Sequence, residues 1–168
     1  MTRYIILFVF LAVTAFPFTS IAEHQLGGGA HYWRAVEDVD VDDIDEDGFS
    51  WLISYQANPN DLFTFEFDLE VFPDEFAGLN DTVLAPQAFL LVGDGLYAGV
   101  GAGIFYTDGE FEETFYTLRA GLDLEILNNL YLDINLNYQF MDWDDLNDEL
   151  DLVDTDTVTL GAAIRVTL

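Results

Sequence analysis

The segment Leu130–Phe140 alternates between apolar and polar residues without a break, and this pattern constrains the fold more than any other feature. Leu132 and Ile134 fall on one side, whereas Asp133 and Asn135 fall on the other. Successive side chains of a β-strand point to opposite faces, so the pattern predicts a strand with one apolar and one polar face. The segment also has about the length, roughly 9–11 residues, that a tilted strand needs to cross a bilayer.

Similar segments recur along the chain, which makes eight predicted strands in all. The other seven cover residues 28–36, 49–57, 62–71, 83–92, 96–106, 113–125 and 156–168. An even number of antiparallel strands is typical of closed bacterial barrels. The sequence therefore predicts an all-β fold, an eight-stranded antiparallel transmembrane up-and-down β-barrel, as a single domain over residues 23–168.

The first 22 residues have the pattern of an export signal. Arg3 supplies a positive charge, residues 5–16 are apolar, and Ser20 and Ala22 offer small side chains before Glu23. The apolar run is shorter than a membrane-spanning helix requires, so we expect a signal peptide over residues 1–22. An N-terminal membrane anchor is the alternative.

The predicted connections fall into two classes that alternate along the chain. Turn-forming residues make short connections at 58–61, 93–95 and 128–129, and longer ones are expected at 37–48, 72–82, 107–112 and 141–155. In outer-membrane barrels the short turns face the periplasm and the longer loops face outward. We therefore expect periplasmic termini and four acidic loops outside the cell.

The charge balance excludes several classes of partner. The chain has no lysine and no cysteine, and beyond the predicted signal only Arg34, Arg119 and Arg165 oppose 32 acidic residues. Nucleic-acid binding requires a basic surface, and so does simple charge attraction to anionic lipid headgroups. The excess of acid would also suit a saline habitat, where salt screens self-repulsion.

Alternation alone does not say which face is inside, because a soluble lipocalin-like barrel has the opposite polarity to a membrane barrel. Gly99, Gly101 and Gly103 share one face and suit a crowded barrel interior. Aromatic residues near strand ends suit the belts at membrane interfaces. These aromatic residues are Trp51, Tyr55, Tyr106, Tyr138 and Phe140.

The C-terminal strand resembles the targeting signal of outer-membrane barrel proteins. The residues that match the signal are Thr159, Gly161, Ile164 and Val166, and Leu168 stands in place of the usual final aromatic residue. The whole mature chain resembles small eight-stranded outer-membrane barrels of the OmpA/OmpX-like kind. The resemblance implies a monomer in the outer membrane, contact with lipid and lipopolysaccharide, and recognition of the last strand by the barrel-assembly machinery.

With this polarity, the charged residues within the strands point into the lumen and should form a hydrogen-bonded network that fills it. These residues are Arg34, Glu66, Asp68, Glu70, Arg119, Asp123, Glu125, Asp133 and Arg165. Acids outnumber arginines in this set, which leaves open a narrow path for cations.

The sequence offers little evidence of catalysis. Catalytic nucleophiles need a base within hydrogen-bond reach. His24 is expected outside the strands and His31 in an aromatic belt near the periplasmic end, and neither forms a recognisable motif with Ser50 or Ser54. We therefore predict no enzymatic activity and no cofactor.

One acidic segment resembles half of a calcium-binding loop. Asp43, Asp45 and Asp47 precede Gly48, but Ser54 stands where the loop requires a glutamate. Weak Ca²⁺ or Mg²⁺ binding is the most this pattern predicts.

The expected role is structural or interactive, in envelope integrity or adhesion. The alternatives are a narrow cation-preferring channel, a lipid-modifying outer-membrane enzyme and a soluble lipocalin-like barrel.

Overall fold

The protein is an eight-stranded antiparallel barrel. The computed structural model describes residues 22–35, 47–73, 82–107, 109–141 and 157–168. The strands are β1 (Glu23–Ala35), β2 (Asp47–Asn58), β3 (Phe63–Phe72), β4 (Val83–Asp94), β5 (Leu96–Thr107), β6 (Glu110–Leu127), β7 (Leu130–Phe140) and β8 (Thr157–Thr167). Each strand pairs with the next, and β8 pairs with β1 to close the sheet. The predicted fold class is confirmed. Within the described residues there is no helix long and apolar enough to span a membrane.

The faces of the strands have opposite chemistry. On the outer surface Trp51 is 65% exposed and Leu136 is 52% exposed, whereas Glu66, Asp133 and Arg165 inside the barrel are fully buried. An apolar exterior around a polar interior is the arrangement of membrane barrels. It contradicts the soluble lipocalin-like alternative, which requires an apolar interior.

The two ends of the barrel differ in their connections. At one end, here called the turn end, lie the turns at 59–62, Gly95 and 128–129, together with the ends of β1 and β8 at Glu23 and Thr167. The other end, here called the loop end, receives the connections at 36–46, 73–82, 108–109 and 141–156.

The connection between β5 and β6 is shorter than predicted. We expected a longer loop over 107–112, but Thr107 already pairs with Glu110 across Asp108 and Gly109. Gly109 has a φ of 84°, a left-handed conformation that tight hairpins require and that glycine adopts without strain. The alternation of short and longer connections is therefore wrong at this position.

The facing of β1 also differs from the prediction. Arg34 is exposed on the outer surface, so its placement in the lumen was wrong, and His31 and Trp33 are buried inside. The cause is the pairing with β8, in which Gly27 lies opposite Arg165 and His31 opposite Gly161. Residues directly opposite each other share a face, so the inward Arg165 fixes the facing of β1.

Candidate functional site in the barrel lumen

The lumen is filled at mid-height by a charged network centred on Glu66. Arg119 Nη1 lies 2.6 Å from Glu66 Oε1, and Arg165 Nη2 lies 3.1 Å from the same oxygen. Gln56 donates a further hydrogen bond to Glu66. One buried carboxylate thus binds two guanidinium groups, which come from β6 and β8 on either side of β7.

Each arginine also binds a second acid. Arg119 Nη2 donates to Asp68 Oδ2 at 3.0 Å, and Arg165 Nη1 lies 2.8 Å from Asp133 Oδ2. The Arg119 guanidinium also lies over the Phe89 ring, with Cζ 3.7 Å from the ring centroid. Both charged groups are therefore paired and enclosed, as buried ions must be to remain charged.

Amide and hydroxyl side chains extend the network around the wall. Tyr97 donates to Asp133 Oδ2 at 2.6 Å, and Asn135 Nδ2 donates to Asp133 Oδ1 at 2.6 Å. Asn137 links Asn135 to Thr159, with distances of 2.9 and 2.8 Å. The polar face of β7, predicted from its alternation, therefore takes part in the network.

A second polar group lies closer to the loop end, around Glu70. His31 Nδ1 is 2.9 Å from Glu70 Oε1, Ser50 donates to the same oxygen, and Gln87 Nε2 donates to Glu70 Oε2 at 2.8 Å. His31 is buried in the lumen, so its assignment to an aromatic belt near the periplasmic end was wrong. His24 lies within β1 rather than outside the strands.

The group around Glu70 contains the residue types of a catalytic triad but not its order. In a triad the histidine accepts the serine hydroxyl proton and the acid orients the histidine. Here Ser50 and His31 both bind the carboxylate of Glu70, and all three side chains are buried. The arrangement is suited to filling the lumen rather than to nucleophilic attack.

The loop end of the lumen is closed by an apolar cluster. Trp33, Phe72, Val83, Ala85 and Phe115 are buried there, and Phe105 packs against them. The rings of Phe105 and Phe115 are stacked with centroids 4.4 Å apart. We call this set the loop-end cluster. The sequence prediction missed it because a polar lumen was expected along the whole length of the barrel.

Glycines in the wall make room for the large inward side chains. A Cβ atom on Gly103 would lie 2.3 Å from Phe115 Cζ, and one on Gly121 would lie 2.5 Å from Tyr97 Cζ. Such distances are far shorter than carbon–carbon contact allows. The interior glycines are therefore required by the packing of the lumen.

The turn end contains an open cavity, here called the vestibule, with a volume of about 570 Å³. Leu91 and Tyr97 form part of its lining, and both side chains are buried. Carboxylates surround it, and they belong to Glu23, Asp61, Asp94, Asp123 and Glu125. The lumen thus changes from apolar to charged to acidic along its axis.

Solved structures of other proteins share this architecture. No protein-family model matches the sequence, and no curated protein matches it. The barrel is similar to the crystal structure of Neisserial surface protein A, with a TM-score of 0.55, 16% identity, and coverage of 89% of this chain and 98% of that chain. It is also similar to the outer membrane protein OprG from Pseudomonas aeruginosa, with a TM-score of 0.51, 9% identity, and coverage of 87% and 93%.

This is the fold of the small eight-stranded outer-membrane β-barrels. At these identities the likeness establishes the fold, which agrees with the polar interior and apolar exterior described above.

The structure brings together most of the residues expected in the lumen. Glu66, Asp68, Arg119, Asp133 and Arg165 form one connected network, and Glu70 lies in the neighbouring group.

The other expected lumen residues lie elsewhere. Arg34 faces outward, Glu125 is exposed, and Asp123 lines the vestibule. Glu125 accepts a backbone hydrogen bond from Asn129 in the adjacent turn, so its place in a sealed polar core was wrong. Asp43 and Asp45 of the half calcium loop lie outside the described residues, and Asp47 accepts a hydrogen bond from Tyr32.

Proposed function

We propose that this protein is a closed outer-membrane barrel that acts through its outer surface and loops, in envelope integrity or adhesion, and that it catalyses no reaction. The apolar outer surface of the barrel and its likeness to outer-membrane barrels support a location in the outer membrane. In this proposal the turn end faces the periplasm and the loop end faces outward, as in barrels of this fold.

The filled lumen is the observation that carries the proposal. A passing solute would have to separate the ion pairs of Glu66 with Arg119 and Arg165, and then cross the loop-end cluster. Breaking a buried ion pair costs about 3–5 kcal/mol, and the cluster presents mainly apolar side chains to a passing ion. Two different barriers in series oppose diffusion through the barrel.

The outward-facing Arg34 supports contact with lipopolysaccharide. It is exposed near the loop end, while Arg119 and Arg165 are engaged inside the barrel. Guanidinium groups bind phosphate oxygens in bidentate geometry. We propose that Arg34 contacts a lipopolysaccharide phosphate, that β8 is the strand recognised during assembly, and that the barrel is a monomer. Weak Ca²⁺ or Mg²⁺ binding by Asp43, Asp45 and Asp47 is a further proposal for the outer loops.

A narrow cation-preferring channel is the second candidate. Asp68 Oδ1 and Thr117 Oγ1 are buried without a hydrogen-bond partner among the described residues. Ordered water commonly satisfies such atoms, and a chain of waters beside carboxylates is a route for small cations.

Planar-bilayer recording separates the two candidates. The purified wild-type barrel should show no reproducible single-channel conductance in 1 M KCl, where the Debye length is about 3 Å. An open porin recorded under the same conditions should show stable conductance steps. The double variant Trp33→Ala, Phe115→Ala should remain closed, because the network around Glu66 still fills the lumen. Reproducible cation-selective steps in the wild type, altered by Glu66→Gln, would overturn the closed-barrel proposal.

A further inference from the structure

The vestibule at the turn end contains three side-chain oxygen atoms that no hydrogen-bond donor reaches. Gln25 is only 3% exposed and lines the vestibule, where its Oε1 has no hydrogen-bond partner. Its Nε2 donates to Glu23 Oε1 at 3.1 Å, which fixes the amide with the oxygen as the free atom. Asn58 Oδ1 and Asp123 Oδ1, also in the lining, are buried without partners as well.

All three unpartnered atoms are acceptors, and none of them receives a hydrogen bond from the surrounding side chains. The carboxylates of Glu23, Asp61 and Glu125 accept hydrogen bonds and donate none when ionised. Within the described residues, the arginines that face the lumen, Arg119 and Arg165, already bind acids of the central network. Unpaired buried acceptors are costly, so a donor from outside the chain would be favourable.

The acidic rim is held in place by hydrogen bonds of the turns. Glu23 Oε1 also accepts from Thr167 Oγ1 at 3.2 Å, and Glu125 Oε1 accepts from the Asn129 amide at 3.3 Å. Asn60 Oδ1 accepts from the amides of Leu62 and Phe63 at 2.9 and 3.0 Å, which orders the turn that carries Asp61. The Glu23 and Glu125 side chains therefore lose less entropy when they bind a ligand.

The spacing of the acidic side chains does not favour the binding of a single metal ion. Within the described ranges no three acidic or histidine side chains lie close enough together to hold one. The negative charge is instead distributed around a cavity of about 570 Å³, within the roughly 300–1,000 Å³ typical of small-molecule sites. Leu91, Tyr97 and Tyr131 add apolar surface between the carboxylates.

We propose that the vestibule binds a linear aliphatic polyamine. The ammonium groups of such a molecule are donors without acceptors, and methylene chains separate them. The spaced positive charges match the spaced carboxylates, the donors match the unpartnered oxygens of Gln25, Asn58 and Asp123, and the methylenes can pack against Leu91 and Tyr97. The proposal concerns the turn end whether or not the lumen conducts, so it stands apart from the proposed function.

Calorimetric titration of the purified barrel in a zwitterionic detergent with spermidine tests the proposal. Saturable binding of one spermidine per barrel is expected. The variant Asp123→Asn, Glu125→Gln should weaken binding by about tenfold or more, because a hydrogen bond to a charged group contributes at least that factor. The matched control Asp47→Asn, Glu110→Gln removes two charges at the loop end and should leave the affinity within about twofold, because exposed charges beyond a Debye length are screened.

Three further binding measurements test whether the vestibule recognises spermidine specifically. Gln25→Leu should weaken spermidine binding without changing the net charge, which diffuse attraction cannot explain. Butylamine, with one ammonium group, should bind far more weakly, and Mg²⁺ at equal concentration should not displace spermidine. If Asp123→Asn, Glu125→Gln does not fold, as judged by gel migration without boiling, Asp61→Asn, Asp94→Asn at the exposed turns provides the same test.

The opposite results would overturn the proposal. These are the absence of saturable spermidine binding, equal weakening by the vestibule and loop-end pairs, or displacement by Mg²⁺ at equal concentration. Binding of a lysine-rich peptide without binding of spermidine would also overturn it, and would assign the vestibule to a basic polypeptide.

Discussion

Glu66 binds two guanidinium groups at the centre of the barrel and accepts a third hydrogen bond from Gln56. A carboxylate in this position cannot be exchanged for a neutral group without leaving Arg119 and Arg165 with less compensation. Each arginine keeps one other acid, Asp68 or Asp133, so the loss is partial. Glu66 is therefore the residue on which the central network depends most.

We expect Glu66→Gln to lower the free energy of unfolding by about 3 kcal/mol, the lower end of the range for breaking a buried ion pair. Urea unfolding of the barrel in detergent micelles, followed by tryptophan fluorescence, measures this change. Glu110→Gln makes the same substitution at an exposed position and should change stability by no more than about 0.5 kcal/mol. Adding Arg165→Met to Glu66→Gln should lower stability further, because it also leaves the buried carboxylate of Asp133 without its guanidinium partner. Equal effects of Glu66→Gln and Glu110→Gln would contradict the central role of Glu66.

At the scale of the strands, the packing of the lumen pairs glycine-rich wall segments with large side chains from neighbouring strands. β5 contributes Gly99, Gly101 and Gly103, which face Leu91, Phe89 and Phe115 respectively. A wall built of larger residues would have no space for these side chains in an eight-stranded barrel. The composition of β5 is thus determined by its neighbours.

Gly103→Ala places a methyl group 2.3 Å from Phe115 Cζ and 2.8 Å from Gln87 Cγ. The overpacking should destabilise the barrel by about 1–3 kcal/mol, again measured by urea unfolding in micelles. Combining Gly103→Ala with Phe115→Leu should restore part of this stability, since it removes the atoms in conflict. Ala102→Val, one residue away on the outer face, is the control and should have an effect within about 0.5 kcal/mol. A destabilisation by Ala102→Val as large as that by Gly103→Ala would show that packing inside the lumen is not the cause.

The strand pattern predicted the barrel well where apolar and polar residues alternate strongly, as in β7. It failed in β1, where Gly27, Gly29 and Ala30 give little contrast between the faces. Only the pairing with β8 decides the facing there, and a sequence does not display that register. Arg165 is inward by the alternation of its own strand, and its pairing with Gly27 in the structure sets the facing of β1.

The whole molecule has a layered lumen that a uniform rule for barrel interiors does not predict. The loop-end cluster holds buried apolar side chains, the central network holds paired charges, and the vestibule leaves acids and acceptors open to one side. Phe115 was missed because alternation identifies which face is inside but not how the chemistry changes with height. Trp33 was missed because the facing of β1 was wrong, and Phe72 because the third strand was expected to end at residue 71. The acids of the vestibule were separated from those of the network only by their three-dimensional contacts.

The difference between the turn end and the loop end predicts one orientation of the barrel in the membrane. Single introduced cysteines can test this orientation because the chain has no cysteine of its own. Glu110→Cys at the loop end and Asn128→Cys at the turn end both occupy exposed positions. In intact cells a membrane-impermeant maleimide should label Glu110→Cys and leave Asn128→Cys unmodified, because the turn end faces the periplasm in barrels of this fold. Permeabilising the outer membrane should make both residues reactive, which serves as the control for accessibility. Labelling of Asn128→Cys but not Glu110→Cys in intact cells would place the acidic vestibule outside the cell and reverse the proposed orientation.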